Sequence, residues 1–405
     1  MLLGAQVRGK LMPQALSGVR VIDVTQVMAG PFCAMIMSDM GADVIKVEPP
    51  TGDSTRRMAG ARGTDSPAFN AVNRGKRGIV VDLKTQDGRD LVSRLACQAD
   101  VMIENYRPGV MRQFGLDYQT LRPSNLGLIY ASISGYGQTG PSSSKGGFDL
   151  VAQGASGLMS ITGEPGRPPV KSGVPLTDLG AALFALGGIL AALHYRITTG
   201  RGQQVDTSLI EAGVAFSVWE ATEYFSGAGV PQPLGSAHRM SAPYQAIRCA
   251  DGYITLGAAN DKLFGRLCDL LGHSEWSRDP AFANDTARVM NRKDLVERIE
   301  AVMAAEPSAH WLSLLEGQEI PCGPINTYAE SLEDAHIKAR QMVLETEHPT
   351  LGRIRTLGTP IKLSETPLGP GRPAPLLGQH TDEVLAEAGC NAAEISRLRS
   401  SGVVK

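Results

Sequence analysis

No Cys-x-x-Cys pair occurs among the six cysteines of this 405-residue chain (Cys33, Cys97, Cys249, Cys268, Cys322 and Cys390), and none of its seven histidines falls into a His-x-x-x-His spacing. Those absences exclude the common zinc signatures, so no metal site is expected. Sparse, scattered cysteine suits a reducing compartment, a cytosol or organelle matrix, with each thiol acting as a small buried hydrophobe. No Gly-x4-Gly-Lys-[Ser/Thr] and no Gly-x-Ser-x-Gly occur, which excludes a P-loop and an α/β-hydrolase elbow. A standard dinucleotide fingerprint is not expected either. Charge of one sign is lacking too: the formal net charge is −2. No global field then draws the chain to nucleic acid or to an anionic membrane. The apolar run 179–193 is too short to span a bilayer and carries three glycines. The first sixteen residues hold Arg8 and Lys10 but no apolar stretch of useful length, and read as a tail rather than a secretory signal.

What is present is an ordinary globular composition, 42% hydrophobic and 20% charged. The length suggests two or three structural units. Short apolar segments at 19–24, 43–48, 78–83, 100–104 and 127–132 read as strands. Helical stretches lie between them, at 31–40 with Pro31 in the first turn and after Thr85 with Leu91, Val92 and Leu95 on one face. Alternating strands and helices indicate βαβ units and a mostly parallel sheet. Such sheets collect ligands at the carboxyl ends of their strands. Residues 1–225 are read as the large domain and 231–335 as a smaller α/β domain with a strand at 252–257 and helices at 261–271 and 292–304. Residues 340–405 then return to the large domain through strand-like pieces at 350–363 and helices at 381–388 and 391–400.

Asp178 ends the run Val170-Lys-Ser-Gly-Val-Pro-Leu-Thr-Asp178, immediately before fifteen uncharged residues that read as a buried helix. Two readings are open for it. Asp is a preferred N-cap and often does nothing more. Alternatively, a carboxylate kept ionised by the helix N-terminus and sheltered from water can attack an activated acyl group.

The chain resembles the class III CoA-transferases, the CaiB/BaiF family, from about Leu16 to Val404. The resemblance rests on Leu16-Ser-Gly-Val-Arg-Val-Ile-Asp-Val24, Met28-Ala-Gly-Pro31, Met40-Gly-Ala-Asp-Val-Ile-Lys-Val-Glu48, Asn73-Arg-Gly-Lys-Arg77 and Val81-Asp-Leu-Lys84. It continues in Glu104-Asn-Tyr-Arg-Pro-Gly109, Gly135-Tyr-Gly-Gln-Thr-Gly-Pro141, Thr199-Gly-Arg-Gly-Gln203 and Pro375-Leu-Leu-Gly-Gln-His-Thr381. It implies a Rossmann-like large domain with a mostly parallel sheet, built from N- and C-terminal parts of the chain. It also implies a smaller α/β domain, an interlocked homodimer, and Asp178 as the nucleophile. By position it places Val27, Ala29, Lys84, Asn105, Tyr106 and Arg107 along coenzyme A, with Arg112 and Lys145 as further basic candidates and Asp149 as an accessory carboxylate. No permanently bound cofactor is implied; the acyl-CoA thioester is itself the substrate. Taken alone, Lys84 and Arg107 are more commonly solvated surface charges, and Asp149 is equally read as a turn or cap residue.

Departures from the family pattern narrow the expectation. Racemases of this fold need a His where this chain has Phe148, and Phe148 cannot move a proton. The oxalate-type relatives carry a tetraglycine lid that is missing here, and an Arg where this chain has Pro49. The stretches 235–244 and 251–260 look most like succinyl-CoA–dicarboxylate transferases, in which His238 and Arg239 could hold the far carboxylate of a diacid. The expected function is CoA transfer from succinyl-CoA to a short dicarboxylate such as glutarate, malate or itaconate. A cytoplasmic homodimer is expected, with a related subunit as a further partner to test for. The competing readings are an α-methylacyl-CoA racemase and a noncatalytic CoA-binding protein.

Overall fold

The computed structural model describes residues 14–405 apart from 62, 64 and 370. The N-terminal tail with Arg8 and Lys10 lies outside the described residues. The chain divides into two compact units. One comprises residues up to 158 with 172–219 and 335–405; the other comprises 159–171 with 220–334.

The first unit is organised by six parallel strands: β1 (Arg20–Asp23), β2 (Asp43–Glu48), β3 (Arg77–Val80), β4 (Val101–Glu104), β5 (Ile129–Ser134) and β6 (Gln204–Ser208). Their order is β3-β2-β1-β4-β5-β6. This is a doubly wound sheet whose direction of growth reverses between β1 and β4, the place where such sheets hold ligands. β1 to β5 are buried along nearly their whole length because both faces are covered, whereas β6 at the edge is mostly solvent-facing. Side chains alternate between the faces. Val21, Val44, Val101, Ile103, Ile129 and Ile133 share a core with Cys33, Met37, Ala181, Ala185 and Ile189. Ile22, Ile45, Met102 and Tyr130 share the other core with Leu91, Val92, Leu95, Val384, Leu398 and Val404.

The helix Leu176–Thr199 is long and apolar enough to cross a membrane by length and composition. One face of it is packed in the core, with Gly180, Ala181, Ala185 and Ile189 buried, and its small residues explain why. A Cβ on Gly188 would lie 2.6 Å from Val205 Cγ1 of β6, so glycine there lets the helix seat on the sheet.

Several expected boundaries shift for local reasons. β5 starts two residues later than expected because Asn125 Oδ1 accepts from Gly127 N and keeps that stretch in a turn. β3 ends at Val80 because the chain then pairs with the C-terminal residues, through the Val81–Val404 bridge and Asp82 N donating to Val403 O. The strand-like pieces expected at 350–363 are an antiparallel hairpin, Val343–His348 with Gly352–Leu357. The C-terminal helices Thr381–Glu387 and Ala392–Ser400 pack on the first unit; they add no strand to its sheet. Gly135-Tyr-Gly-Gln-Thr-Gly140 does spell Gly-x-Gly-x-x-Gly directly after β5. It is no dinucleotide fingerprint, because turns fill the segment and the next helix opens only at Asp149.

The second unit is a three-stranded antiparallel sheet, Tyr244–Cys249, Gly252–Gly257 and Cys322–Pro324. Its core joins Ile254 and Leu256 to Phe264, Leu267, Leu295, Ile299 and Leu315 from the covering helices. Residues 159–171 belong with it, tied by Gly235 N donating to Gly163 O at 2.8 Å.

Candidate active site

Just past the carboxyl ends of β1 and β4, at the reversal point, the chain makes two facing turns. Gln26 N donates to Asn105 Oδ1 at 2.9 Å and Asn105 Nδ2 returns a bond to Gln26 O at 2.7 Å, stitching the turns together. Val27 follows with φ +69, the left-handed region that a β-branched residue enters only under strain. Its N–H is caught by Asp53 Oδ2 at 3.2 Å. Asp53 in turn pairs with Lys46 Nζ at 3.2 Å, both side chains fully buried, and Lys46 also donates to Thr25 O. Burial disfavours the charged forms, yet Lys46 holds the Asp53 carboxyl below its usual range. Asp23, Asp53 and Glu48 together push Lys46 up. A buried ion pair thus fixes a strained backbone at the mouth of the sheet.

Beside this turn lies a cleft of about 360 Å3. Its walls include Val27, Met28, Ala29, Asn105, Tyr106, Arg107, Lys145, Phe148 and Asp178. One wall depends on glycine pairs. A Cβ on Gly147 would sit 2.4 Å from Gly135 Cα, and one on Gly146 would sit 2.6 Å from Arg107 Nη2. Two backbone segments therefore touch there, and the Arg107 guanidinium lies close against Gly146. Lys145 Nζ stands 5.9 Å from the Tyr136 ring centroid, within cation–π range.

Asp178 does not cap its helix. The helix begins at Leu176, with Pro175 at the cap position, so Asp178 sits inside the first turn. The capping work is done by Asp149: its Oδ1 accepts from Thr177 N at 2.9 Å and from Thr177 Oγ1 at 2.8 Å, while Gln153 Nε2 donates to its Oδ2. Asp178 is thereby left without a hydrogen-bond donor among the described residues, half-buried and facing the cleft. Burial, with the Asp149 charge adding to it, pushes its carboxyl up to about 6. The expected effect of the helix N-terminus is outweighed, although above pH 6 the ionised form still predominates. A carboxylate with unengaged lone pairs beside a cleft is a nucleophile in waiting.

The pH consequence has a definite sign. Protonation removes the attacking lone pair, so kcat/KM for a carboxylate attack falls as pH drops through about 6. Asp149→Asn keeps an acceptor for Thr177 but removes the neighbouring charge. Its pH profile is expected to inflect at lower pH than the parent's, yet still above an ordinary carboxylate, because burial remains. An unchanged inflection would show that Asp178 does not feel Asp149.

The other residues singled out in the sequence divide into groups. Val27, Ala29, Asn105, Tyr106, Arg107 and Lys145 converge on one cleft with Asp178. Lys84 does not line it; it is exposed in the turn ahead of helix Gln86–Cys97, its N–H bonded to Asp82 Oδ1. Arg112 lines a different cavity, shared with Arg107. His238 and Arg239 belong to the second unit, where His238 stacks on Tyr244 and Arg239 pairs with Glu223 at 3.2 Å. Sequence reasoning missed Asp53 and Lys46. The available signal was a Lys in the middle of Asp43-Val-Ile-Lys-Val-Glu48, a strand otherwise read as buried.

A family model described as CoA-transferase family III matches residues 16–381. The chain is 41% identical over 393 residues to succinyl-CoA:glutarate CoA-transferase of Mus musculus, a match covering 96% of this chain and 90% of that one. It is 40% identical over 380 residues to succinate–glutarate CoA-transferase of Agrobacterium fabrum, covering 92% and 95%. A crystal structure of a CaiB/BaiF family protein from Brucella suis matches with TM-score 0.82 at 38% identity, covering 93% of this chain and 100% of that one. With the fold, the cleft and these relatives in agreement, the chain belongs to CoA-transferase family III and is a class III CoA-transferase.

Proposed function

We propose that this enzyme moves CoA from succinyl-CoA to a short dicarboxylate, glutarate foremost, with Asp178 as the nucleophile. The observation that carries the reading is the half-buried, donor-free Asp178 carboxylate on the wall of a cleft of about 360 Å3. Such a cleft suits a pantetheine arm. The Asp178 carboxylate attacks the thioester carbonyl, the C–S bond breaks, and CoA thiolate leaves a mixed anhydride behind. The thiolate attacks the aspartyl carbonyl, releasing succinate and leaving an aspartyl-CoA thioester. The acceptor carboxylate attacks that thioester, and the returning thiolate takes the acceptor acyl group and frees Asp178. No oxidant or external proton is consumed. Each step needs CoA to stay bound between leaving and returning, and needs water kept from activated acyl groups.

Arg107 and Lys145 are the proposed phosphate contacts at the cleft mouth, with Val27, Ala29, Asn105 and Tyr106 along the arm. Asp149 is a positioning residue that anchors the helix start and adds to the upward push that burial gives the Asp178 carboxyl. Phe148, 76% exposed on the cleft wall, speaks against a racemase, since it cannot carry a proton.

We further propose an interlocked homodimer in a reducing, cytoplasmic setting. Free cysteines throughout the described residues support the compartment. Val218 at 66%, Trp219 at 61% and Phe225 at 79% exposure are apolar groups that a partner would cover. Light scattering on the purified chain should give twice the chain mass; a monomer, or activity only with a second subunit added, would overturn the homodimer.

The test of substrate class is a panel of acids offered with succinyl-CoA, read by the masses of the CoA products. Glutaryl-CoA is expected to dominate over products of monocarboxylic acids. Failure of every dicarboxylate to yield a CoA ester would sink the assignment.

A further inference from the structure

Two strands that build the active cleft also build a second chamber on the other face of the sheet. Ile103 of β4 and Ile133 of β5 face the core that holds the Asp178 helix, whereas Glu104 and Tyr130, offset by one residue in the alternation, face away from it. There they line a cavity of about 210 Å3 with Ser132, Gln138 and the exposed Arg107 and Arg112. The cavity is polar and its hydrogen bonding is incomplete. Tyr130 is 2% exposed and its hydroxyl has no hydrogen-bond partner among the described residues; the buried Gln138 Nε2 has none either. Buried polar groups are left open in this way where something else supplies the partner.

The chemistry of what is missing is legible from the donors. A phenolic O–H, an amide N–H2 and two guanidinium groups all offer hydrogen to an acceptor-rich anion. The carboxylates nearby are already engaged. Glu104 Oε2 accepts from Tyr106 N at 2.8 Å, and Asp117 accepts from Gln119 N at 3.1 Å and Thr120 Oγ1 at 2.6 Å. Burial, with Asp206 adding to it, pushes Glu104 up to about 7, so Glu104 can meet an anion as a neutral acid.

We propose that this cavity is a second binding site, separate from the Asp178 cleft, for a short carboxylate anion held by Tyr130, Gln138 and the two arginines. The choice of dicarboxylates as probes rests on the function proposed above; the cavity itself does not. Arg107 lines both chambers, and its five N–H donors let it face an acid here and CoA in the cleft at the same time.

The experiment is calorimetric titration of glutarate, and separately of neutral glutaramide, into the Asp178→Ala protein saturated with CoA. Tyr130→Phe and Gln138→Leu are then added singly to that background. Expected is saturable glutarate binding that glutaramide does not reproduce and that each substitution weakens roughly tenfold. Because the protein cannot form the anhydride, the result does not depend on transfer activity. Saturable binding that neither substitution changes would place the acid at the active cleft and overturn the proposal. So would equal binding of glutaramide, or no binding at all.

Discussion

Asp178→Ala is expected to abolish CoA transfer while leaving the fold and CoA binding in place. The group removed faces the cleft and makes no hydrogen bond among the described residues, so little of the structure depends on it. Its neighbour Thr177 stays anchored to Asp149 at 2.9 Å, and the helix start survives. Loss of a covalent nucleophile costs on the order of 10^4-fold or more in kcat, since binding and orientation alone cannot substitute for the bond it forms. Two measurements check this: turnover with succinyl-CoA and glutarate, and CoA affinity by calorimetry. Hydroxylamine added to the parent enzyme with succinyl-CoA should convert Asp178, and no other residue, to a hydroxamate visible by peptide mass. Residual turnover within tenfold of the parent, or a hydroxamate elsewhere, would remove Asp178 from the mechanism.

Asp53→Ala is expected to damage stability and CoA binding together. Asp53 holds three things at once: Lys46 at 3.2 Å, Val27 N at 3.2 Å and Thr55 N at 3.0 Å. Taking one partner from a buried ion pair costs about 3–5 kcal/mol. Lys46 keeps Asp23 and Glu48 nearby, which sets the expectation at the low end, about 3 kcal/mol. The freed Val27 backbone should relax from φ +69, because among the described residues its N–H has no other acceptor to oppose the strain. KM for the acyl-CoA should then rise with kcat less affected, since Val27 lines the cleft and does no chemistry. Asp53→Asn keeps an acceptor and should recover most of the KM while recovering only part of the stability. If Asp53→Ala melts and binds as the parent does, the buried pair is not what holds the turn.

Much of this was legible from residues alone. Strand and helix alternation through residue 134 follows from apolar periodicity, and the structure departs from it mainly where a partner distant in sequence intervenes, as Val403 and Val404 do at the end of β3. β6 escaped notice because Gln204-Val-Asp-Thr-Ser208 lies at the sheet edge and is mostly solvent-facing, so it lacks the apolar run of a central strand. Asp178 could be singled out but not placed: that it is not a helix cap follows from Asp149, 29 residues earlier, accepting from the Thr177 N–H. The buried pair of Lys46 and Asp53 left only a charge in an apolar strand as its trace. Pairing partners are set by tertiary geometry, which local pattern does not encode.

The way the first unit is assembled also bears on how it is made. Its sheet begins at Arg20, yet one of its two cores is completed by Leu398, Val403 and Val404, with Val81 bridged to Val404. During synthesis the early strands must wait, with an apolar face uncovered, until some four hundred residues have been polymerised. Residues 220–334 have nearly all their own partners in hand well before that. The inserted unit can therefore mature first, and the host around it last.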